Sequence, residues 1–467
     1  MLKELPSAVG EEAFPFDPDF PQLKIASDPV LMREVFRSHL KPVAGRVLRI
    51  EDCVPFRFRC RQSTTRCVLQ YTLRIVEPAT GREWNQWVSG LVYAGQREAE
   101  RLWHEMQAAD PRQEIPADWL TFEPVDFIPE LQMLVQVFPY DRKLRNLCQV
   151  MNGALAGLEL RLLARLEPGQ WRVEDRHLEP TRYRTELGAA LKYAMRARDG
   201  QAATSKTLRC YLKVYRNERG QETFELLRSL AARAGTGPQP YSAVRPVIYL
   251  TELRTLVLEE AAGTPLQQLL LQSHDAAEAV RAVARAVAAF NQDGLKIARQ
   301  HSLTDQLQDV KRASTLVQWA CPEVRAETNA ITTAVVAGLK EVSPAPIHRD
   351  LKPDHIFLEG DRVMFIDCDS VALGDPVRDP AHLFAHLTAR IGMDAMPRGQ
   401  ARAAAAAFAE EYFSRVPKSW RESFSLHCAG ALIEVAGGIF KRQEPHWPGK
   451  VTACIEEAQH ALSGGVR

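Results

Sequence analysis

Two aspartates bracket one short hairpin in the segment PIHRDLKPDHIFLEGDRVMFIDCDSVALGDPVRDPAHLFAHL, which begins at Pro346. The run HIFLEGDRVMFID reads as two apolar strands joined by Glu359-Gly360-Asp361, a tight turn. Asp350 stands just before the hairpin and Asp367 at its far end, so the hairpin fixes their separation and lets both face one cleft. One carboxylate can orient a hydroxyl while the other holds a divalent ion that bridges phosphates. Phosphoryl transfer asks for little more, because positioning and charge neutralisation do most of its work. A second chemical feature lies upstream. Lys213 sits between apolar neighbours in CYLKVY, and a lysine in such a strand is costly to bury without a partner.

The elements that must position these groups can be read from periodicity. Residues 1–45 form an arm broken by Pro6, Pro15, Pro18 and Pro21, with a helix opening at Asp28-Pro29. Residues 46–174 are β-rich with one helix, QREAERLWHEM, and a closing strand pair, PVDFIPELQMLVQVF. The same order returns over 175–262. PTRYR, ALKYAMRARDGQ and LRCYLKVY read as strands, GQETFELLRSLAARA as a helix and PVIYLTELRTLVLEE as a strand pair. Pro124 aligns with Pro246, Leu134 with Leu256, Val135 with Val257, and Arg57-Phe58-Arg59 with Arg182-Tyr183-Arg184. This order and spacing read as an internal duplication of one α/β lobe. Residues 263–467 are helical, with Ala/Leu/Val runs over 265–300, 325–341, 400–415 and 425–462 interrupted by the aspartate hairpin.

Composition bounds the classes. The 467 residues carry a net charge of +1, with 46% hydrophobic and 25% charged residues, so nothing in the balance indicates a nucleic-acid or membrane partner. Nine cysteines are scattered without a CxxC pair, which argues against a disulfide framework or zinc module and fits a reducing cytoplasm. The start, with Lys3, Glu4, Glu11 and Glu12, has no apolar secretory core, and no window approaches the roughly 20 apolar residues of a membrane helix.

His348-Arg349-Asp350 followed by His355 resembles the HxDxxxxN loop of kinases, and the GDPVRDPAHLFAHL tail resembles the aminoglycoside phosphotransferase and choline kinase family. The resemblance covers about 175–467. It implies an α+β, bilobal protein-kinase-like fold, with an antiparallel-sheet N-lobe at 175–262 and a helical C-lobe at 263–467; the duplication then makes 46–174 a degenerate N-lobe-like copy in front. It implies ATP as phosphate donor with Mg2+ or Mn2+, and a small-molecule hydroxyl acceptor such as a sugar, amino alcohol or aminoglycoside-like compound.

Carried over residue by residue, Asp350 is the base, His348 braces its loop and Asp367 binds the metal. Lys213 holds the nucleotide phosphates and pairs with a helix carboxylate, Glu222, with Glu225 as second choice. The backbones of Glu259 and Ala261 form the adenine-binding hinge. The phosphate-covering hairpin is the one turning at Asp199-Gly200. Asp369 is either a further acidic group or a turn residue; Asp375 serves a turn and Asp379 caps the helix that follows. His446 and Trp447 form a rim loop, as an acceptor-stacking platform or as a plain exposed turn.

Two departures stand out. His355 replaces the usual Asn, and an imidazole nitrogen suits softer metals than an amide oxygen does. The first copy has Ser89 or Gly90 where Lys213 would stand, which leaves it a role in packing, in shaping the acceptor site or in a homodimer contact. The alternative to an enzyme is a nucleotide-binding pseudokinase or scaffold that uses this copy for partners. A protein kinase is disfavoured, because DCDSVALGDP leaves no room for an activation loop.

Overall fold

The computed structural model describes residues 14–60, 66–153, 155–201, 204–234, 240–272 and 276–465. The acidic start with Lys3, Glu4, Glu11 and Glu12 lies outside them. Helix α1 (Leu23–Ala26) leads to α2 (Pro29–His39). Asp28 caps α2 by accepting the N–H groups of Val30 and Leu31, and Pro29 fills the first turn where no donor is needed. The helix buries Met32 and Phe36 against the first sheet, with Phe36 edge-on to Tyr71.

That sheet is built from β1 (Arg49–Cys60), β2 (Arg66–Glu77), β3 (Arg82–Tyr93), β4 (Val125–Ile128) and β5 (Met133–Val137), with α3 (Gln96–Ala108) between β3 and β4. Its antiparallel order is β1-β2-β3-β5-β4. Short helices α4 (Asn146–Met151) and α5 (Ala156–Leu163) lead to the second sheet. There β6 (Trp171–Arg184), β7 (Gly188–Asp199) and β8 (Ser205–Tyr215) precede α6 (Arg219–Ala234). Then β9 (Tyr241–Ala243) departs to the other lobe, and β10 (Pro246–Leu250) and β11 (Thr255–Glu259) close the sheet in the order β10-β11-β8-β7-β6. Taken strand for strand, the two sheets share one order, each with its first strand at an edge and a helix after its third strand.

Gly263 carries the chain out of the second sheet at φ +89°, where an added Cβ would lie 2.3 Å from the Leu358 carbonyl oxygen. Strand β12 (Thr264–Pro265) then opens the helical lobe, with α7 (Leu266–Gln272), α8 (Ala277–Asn291), α9 (Leu303–Ala320) and α10 (Arg325–Gly338). Ser302 and Asp305 form a reciprocal capping box that starts α9. Strand β13 (Ala345–Ile347) enters the loop of interest, and β14 (Ile356–Glu359) with β15 (Arg362–Phe365) forms the expected hairpin around Gly360 at φ +60°. Strand β16 (Ala372–Gly374) pairs back with β13, and α11 (Arg378–Thr388), α12 (Arg398–Phe413), α13 (Phe424–Lys441) and α14 (Trp447–His460) finish the lobe.

The first sheet is welded to this helical lobe. Phe58 on β1 stacks on Trp319 of α9 at 5.8 Å between ring centroids, and Phe440 of α13 packs edge-on against both. Burial of aromatic side chains on this scale contributes roughly 1.5–3 kcal/mol each. The face of β1 carrying Phe58 is therefore covered by the chain's own helices. The stretch Lys418–Lys441 is long and apolar enough to cross a membrane, contrary to the sequence expectation, but 72% of its apolar window is buried inside this lobe, as a core helix is.

Candidate active site

Lys213 lies on β8, opposite Ala190 on β7 and Leu256 on β11. Its Nζ sits 2.5 Å from Asp367 Oδ1 and 3.2 Å from Asp369 Oδ2, and the Tyr215 hydroxyl donates to Asp369 Oδ1 at 2.8 Å. Burial works against the ammonium, but Asp369 and Asp367 outweigh it and hold Lys213 well above the ordinary lysine range. Burial likewise opposes ionised Asp367, yet Lys213 and His355 pull it well below the ordinary carboxylate range. Asp369 thus belongs to the cluster.

This pairing corrects one expectation. Glu222 does not reach Lys213; it is 71% exposed and bonded to Arg299 at 2.8 Å. Glu225, the second choice, pairs with Arg228. The first turn of α6 turns its carboxylates outward, and the aspartates beyond β15 reach the lysine instead.

The loop after β13 is held from behind. Arg349 adopts φ +68°, and the backbone N–H groups of His348 and Arg349 donate to the two Asp379 oxygens at 2.7 and 2.9 Å. Asp379 is fully buried and also faces Asn291 at 3.2 Å. It does not cap α11, as the sequence suggested; Val377 holds that position, and Asp379 crosses to the loop. Asp375 serves a turn as expected, accepting Val377 N–H, and its other oxygen meets His427. His348 Nε2 donates to the Ile366 carbonyl at 2.9 Å, tying the loop to the residue before Asp367.

His355 is buried between the two catalytic candidates. Its Nδ1 lies 2.9 Å from the Asp350 carbonyl oxygen, which can only accept, so Nδ1 carries the proton. The bare Nε2 is then turned toward Asp367 Oδ2, 3.4 Å away. Ligand atoms of Asp350, His355 and Asp367 all lie within 4.8 Å of one another. A backbone carbonyl that fixes the imidazole tautomer is what a metal-ligating histidine requires, so this donor set fits a divalent ion.

The hairpin turning at Asp199-Gly200 does not cover the cavity, contrary to the sequence expectation. Asp199 and Gly200 fold back on Gln170, at the opposite end of β7 from the site. At the β6–β7 turn, Thr185-Glu186-Leu187, the cavity of about 370 Å3 around Lys213, Asp350 and Asp367 is lined by Leu187 and Gly188. Glu186 sits at φ +61° and is 1% exposed. Arg66 and Arg142 bind its carboxylate at 2.5 and 2.9 Å, with Arg59 and Lys143 at 3.8 Å. Its N–H donates to Asp141 at 2.6 Å, and Ser89 and Thr185 share a hydroxyl–hydroxyl bond of 2.6 Å. Every one of these partners belongs to the first sheet or the segment that follows it.

Other sequence candidates fall outside the cavity. Glu259 pairs with Cys210 in the ladder, three rungs or roughly 10 Å from Lys213. Its N–H donates to Arg245 and its carboxylate meets Arg165. Neither Glu259 nor Ala261 lines the cavity, although both stand where the chain leaves the second sheet. Trp447 is buried against Phe440 in the first turn of α14, so it is neither a stacking platform nor an exposed turn. Sequence reasoning missed Arg182, Arg184, Tyr215 and Arg219 around the cavity. The only signal for the first two was the Arg-aromatic-Arg repeat, read as homology rather than as charge.

Residues 195–422 match the model of the phosphotransferase enzyme family. No curated protein matches the chain. Similar solved structures include the ADP-bound aminoglycoside phosphotransferase APH(2'')-Ib, at 13% identity and TM-score 0.41 over 66% of this chain and 99% of that one. Choline kinase from Cryptosporidium parvum Iowa II gives 9% and 0.46 over 68% and 97%. Amicoumacin kinase hAmiN, in complex with AMP-PNP, Ca2+ and Ami, gives 12% and 0.40 over 67% and 95%.

Proposed function

We propose that this chain, whose residues 195–422 match the model of the phosphotransferase enzyme family, transfers the γ-phosphate of ATP to a hydroxyl of a small acceptor. Its fold is the bilobal α+β, protein-kinase-like arrangement of an antiparallel sheet and a helical lobe. The observation that carries the reading is the convergence of Lys213, Asp350, His355 and Asp367 on one cleft from three separate elements.

Lys213 binds the nucleotide phosphates, exchanging its bonds to Asp367 and Asp369 for phosphate oxygens. Asp367 and His355 Nε2 hold a divalent ion, Mg2+ or Mn2+, which when bound neutralises phosphate charge. Asp350 orients the acceptor hydroxyl. Burial alone would raise its carboxyl, but Lys352 and His355 bring it below the usual range. Such a carboxylate takes a proton only late, so orientation is its main contribution. Asp379 positions Asp350 through the loop backbone.

The same proposal takes residues 46–174 as a second copy of the 175–262 lobe that no longer binds nucleotide, supported by the shared strand order of the two sheets. Nine unbridged cysteines support a cytoplasmic setting. A nucleotide-binding scaffold is the second reading; the Lys213–Asp367 ion pair across the phosphate position favours it.

The test is γ-phosphate turnover with Mg2+ or Mn2+, with pooled hydroxyl compounds, in wild type and Asp350→Ala. Loss of turnover by roughly 10²–10⁴-fold, with nucleotide affinity kept, is expected. Nucleotide binding without Asp350-dependent turnover supports the scaffold instead.

A further inference from the structure

The cleft is unusually cationic for its size. Lys213, Arg182, Arg184, Arg216 and Arg219 line it against Asp350, Asp367 and Asp369. Lys213 is spent on two of these aspartates, and Arg182 reaches Asp367 at 3.4 Å. Among the described residues, Arg219 and Arg216 find only the backbone carbonyls of Asp369 and Glu186. Arg184 has no carboxylate within 4 Å among the described residues.

The position of these arginines matters. Arg182 and Arg184 alternate with buried Tyr183 on β6, so both leave the same face of the edge strand. In the ladder, Arg182 faces Ala190, which faces Lys213; two rungs on, Arg184 faces Gly188, which faces Tyr215. The edge is on the far side of Lys213 from β11 and the exit to the helical lobe. A nucleotide reaching from that exit to Lys213 leaves the edge to whatever approaches Asp350 from the other side.

The first sheet adds to this edge. Arg57 on β1 is half-buried, and its Nε is enclosed without a partner. Its guanidinium is pushed down to about 10 by burial and then by Arg184 and Arg182, and Arg59, two residues further along β1, donates to the Thr185 carbonyl next to Arg184. Even a tetra-anionic nucleotide with one divalent ion leaves this ensemble positive.

We propose that the acceptor carries a phosphate or carboxylate group beside its reactive hydroxyl, and that Arg184 on β6 and Arg57 on β1 bind that anion. This rests on the phosphotransferase reading above and narrows it: amino alcohols and aminoglycoside-like polycations are repelled. It also gives the first sheet a direct part in the acceptor site.

The experiment uses the full chain with AMP-PNP and Mn2+, and four ligands on one sugar ring: glucose, glucosamine, glucuronate and glucose 1-phosphate. Calorimetric binding is read first and γ-phosphate transfer from ATP second. At least one of the two anions binds about tenfold tighter than glucose and glucosamine, and their ranking separates phosphate from carboxylate chemistry. Arg184→Gln and Arg57→Gln each weaken that binding about tenfold and leave AMP-PNP affinity within about twofold. Arg184 is exposed, so its variant guards against misfolding of the Arg57 variant. Equal binding of all four sugars, a preference for glucosamine, binding of neither anion, or loss of AMP-PNP affinity in the variants overturns the proposal. Binding does not require turnover, so anion binding without transfer counts against the phosphotransferase reading alone.

Discussion

Glu186 offers the sharpest test of how the first sheet serves the second. Its carboxylate is 1% exposed, and its nearest cations, Arg66 and Arg142, are each 19% exposed. Removing one member of a fully buried ion pair costs roughly 3–5 kcal/mol, because the partner charge stays behind unpaired. Here water reaches the arginines and recovers part of that, so Glu186→Gln is expected to cost about 2 kcal/mol. At roughly 1–2 °C per kcal/mol for a chain of 467 residues, Tm falls by about 2–4 °C. The effect depends on pH. Burial alone would raise the Glu186 carboxyl, but Arg66 and Arg142 outweigh it and the folded value is lowered. Its stabilisation is then complete above the unfolded value of about 4.3 and is lost as pH falls through the lower folded value. The gap between wild type and Glu186→Gln therefore closes in acid. The turn also lines the cavity, so the KM for ATP rises at neutral pH. Thermal unfolding from pH 3 to 8 and steady-state kinetics read both effects. An unchanged Tm together with an unchanged KM refutes the clamp.

Further outcomes follow from single positions. His355→Asn replaces an imidazole nitrogen with an amide oxygen, so the ratio of Mn2+ to Mg2+ affinity falls, by about tenfold; metal titration without substrate reads it, and an unchanged ratio removes His355 from the ligand set. Gly263→Ala places a Cβ 2.3 Å from a backbone oxygen at φ +89° and is expected to cost roughly 2–4 kcal/mol. Gly360→Ala, at φ +60° with nothing within 4 Å, costs only about 1 kcal/mol. Equal Tm shifts for the two glycine variants sink the close-approach argument.

What the sequence made legible was local. The β14–β15 hairpin, with Asp350 before it and Asp367 after it, was read correctly, because alternation and a Gly turn are short-range signals. The succession of strands and helix along both lobes could be read for the same reason. What failed was non-local. The partner of Lys213 depends on how closely two lobes approach, and no spacing along α6 encodes that. The hairpin turn at the cavity was misplaced because Asp199-Gly200 has turn chemistry, whereas Thr185-Glu186-Leu187 has none. That turn exists because Arg66, Arg142 and Asp141 hold a non-glycine residue at φ +61°. Helix α9 was not singled out either, although Ser302 and Asp305 mark its start.

The register of the two sheets also shifts which residue of the first stands level with Lys213 when strands are compared in order. Leu256 on β11 faces Lys213, and Leu134, its counterpart on β5, faces Leu91 rather than Ser89 or Gly90. The residue in the lysine position is thus a leucine, fully buried and opposite Val68. Physical necessity explains the exchange. Lys213 is tolerable because Asp367 and Asp369 rise to it from the helical lobe. No such loop follows β5, so a lysine at position 91 would be buried unpaired, at a cost of several kcal/mol. Apolar packing there is the stable solution, and it frees the sheet's other groups for work at the neighbouring site. Ser89, the sequence candidate for that position, bonds Thr185 in the β6–β7 turn; Arg59 and Asp141 hold the same turn. A sheet with a buried leucine at that rung thereby fixes the turn beside the cavity that holds Lys213.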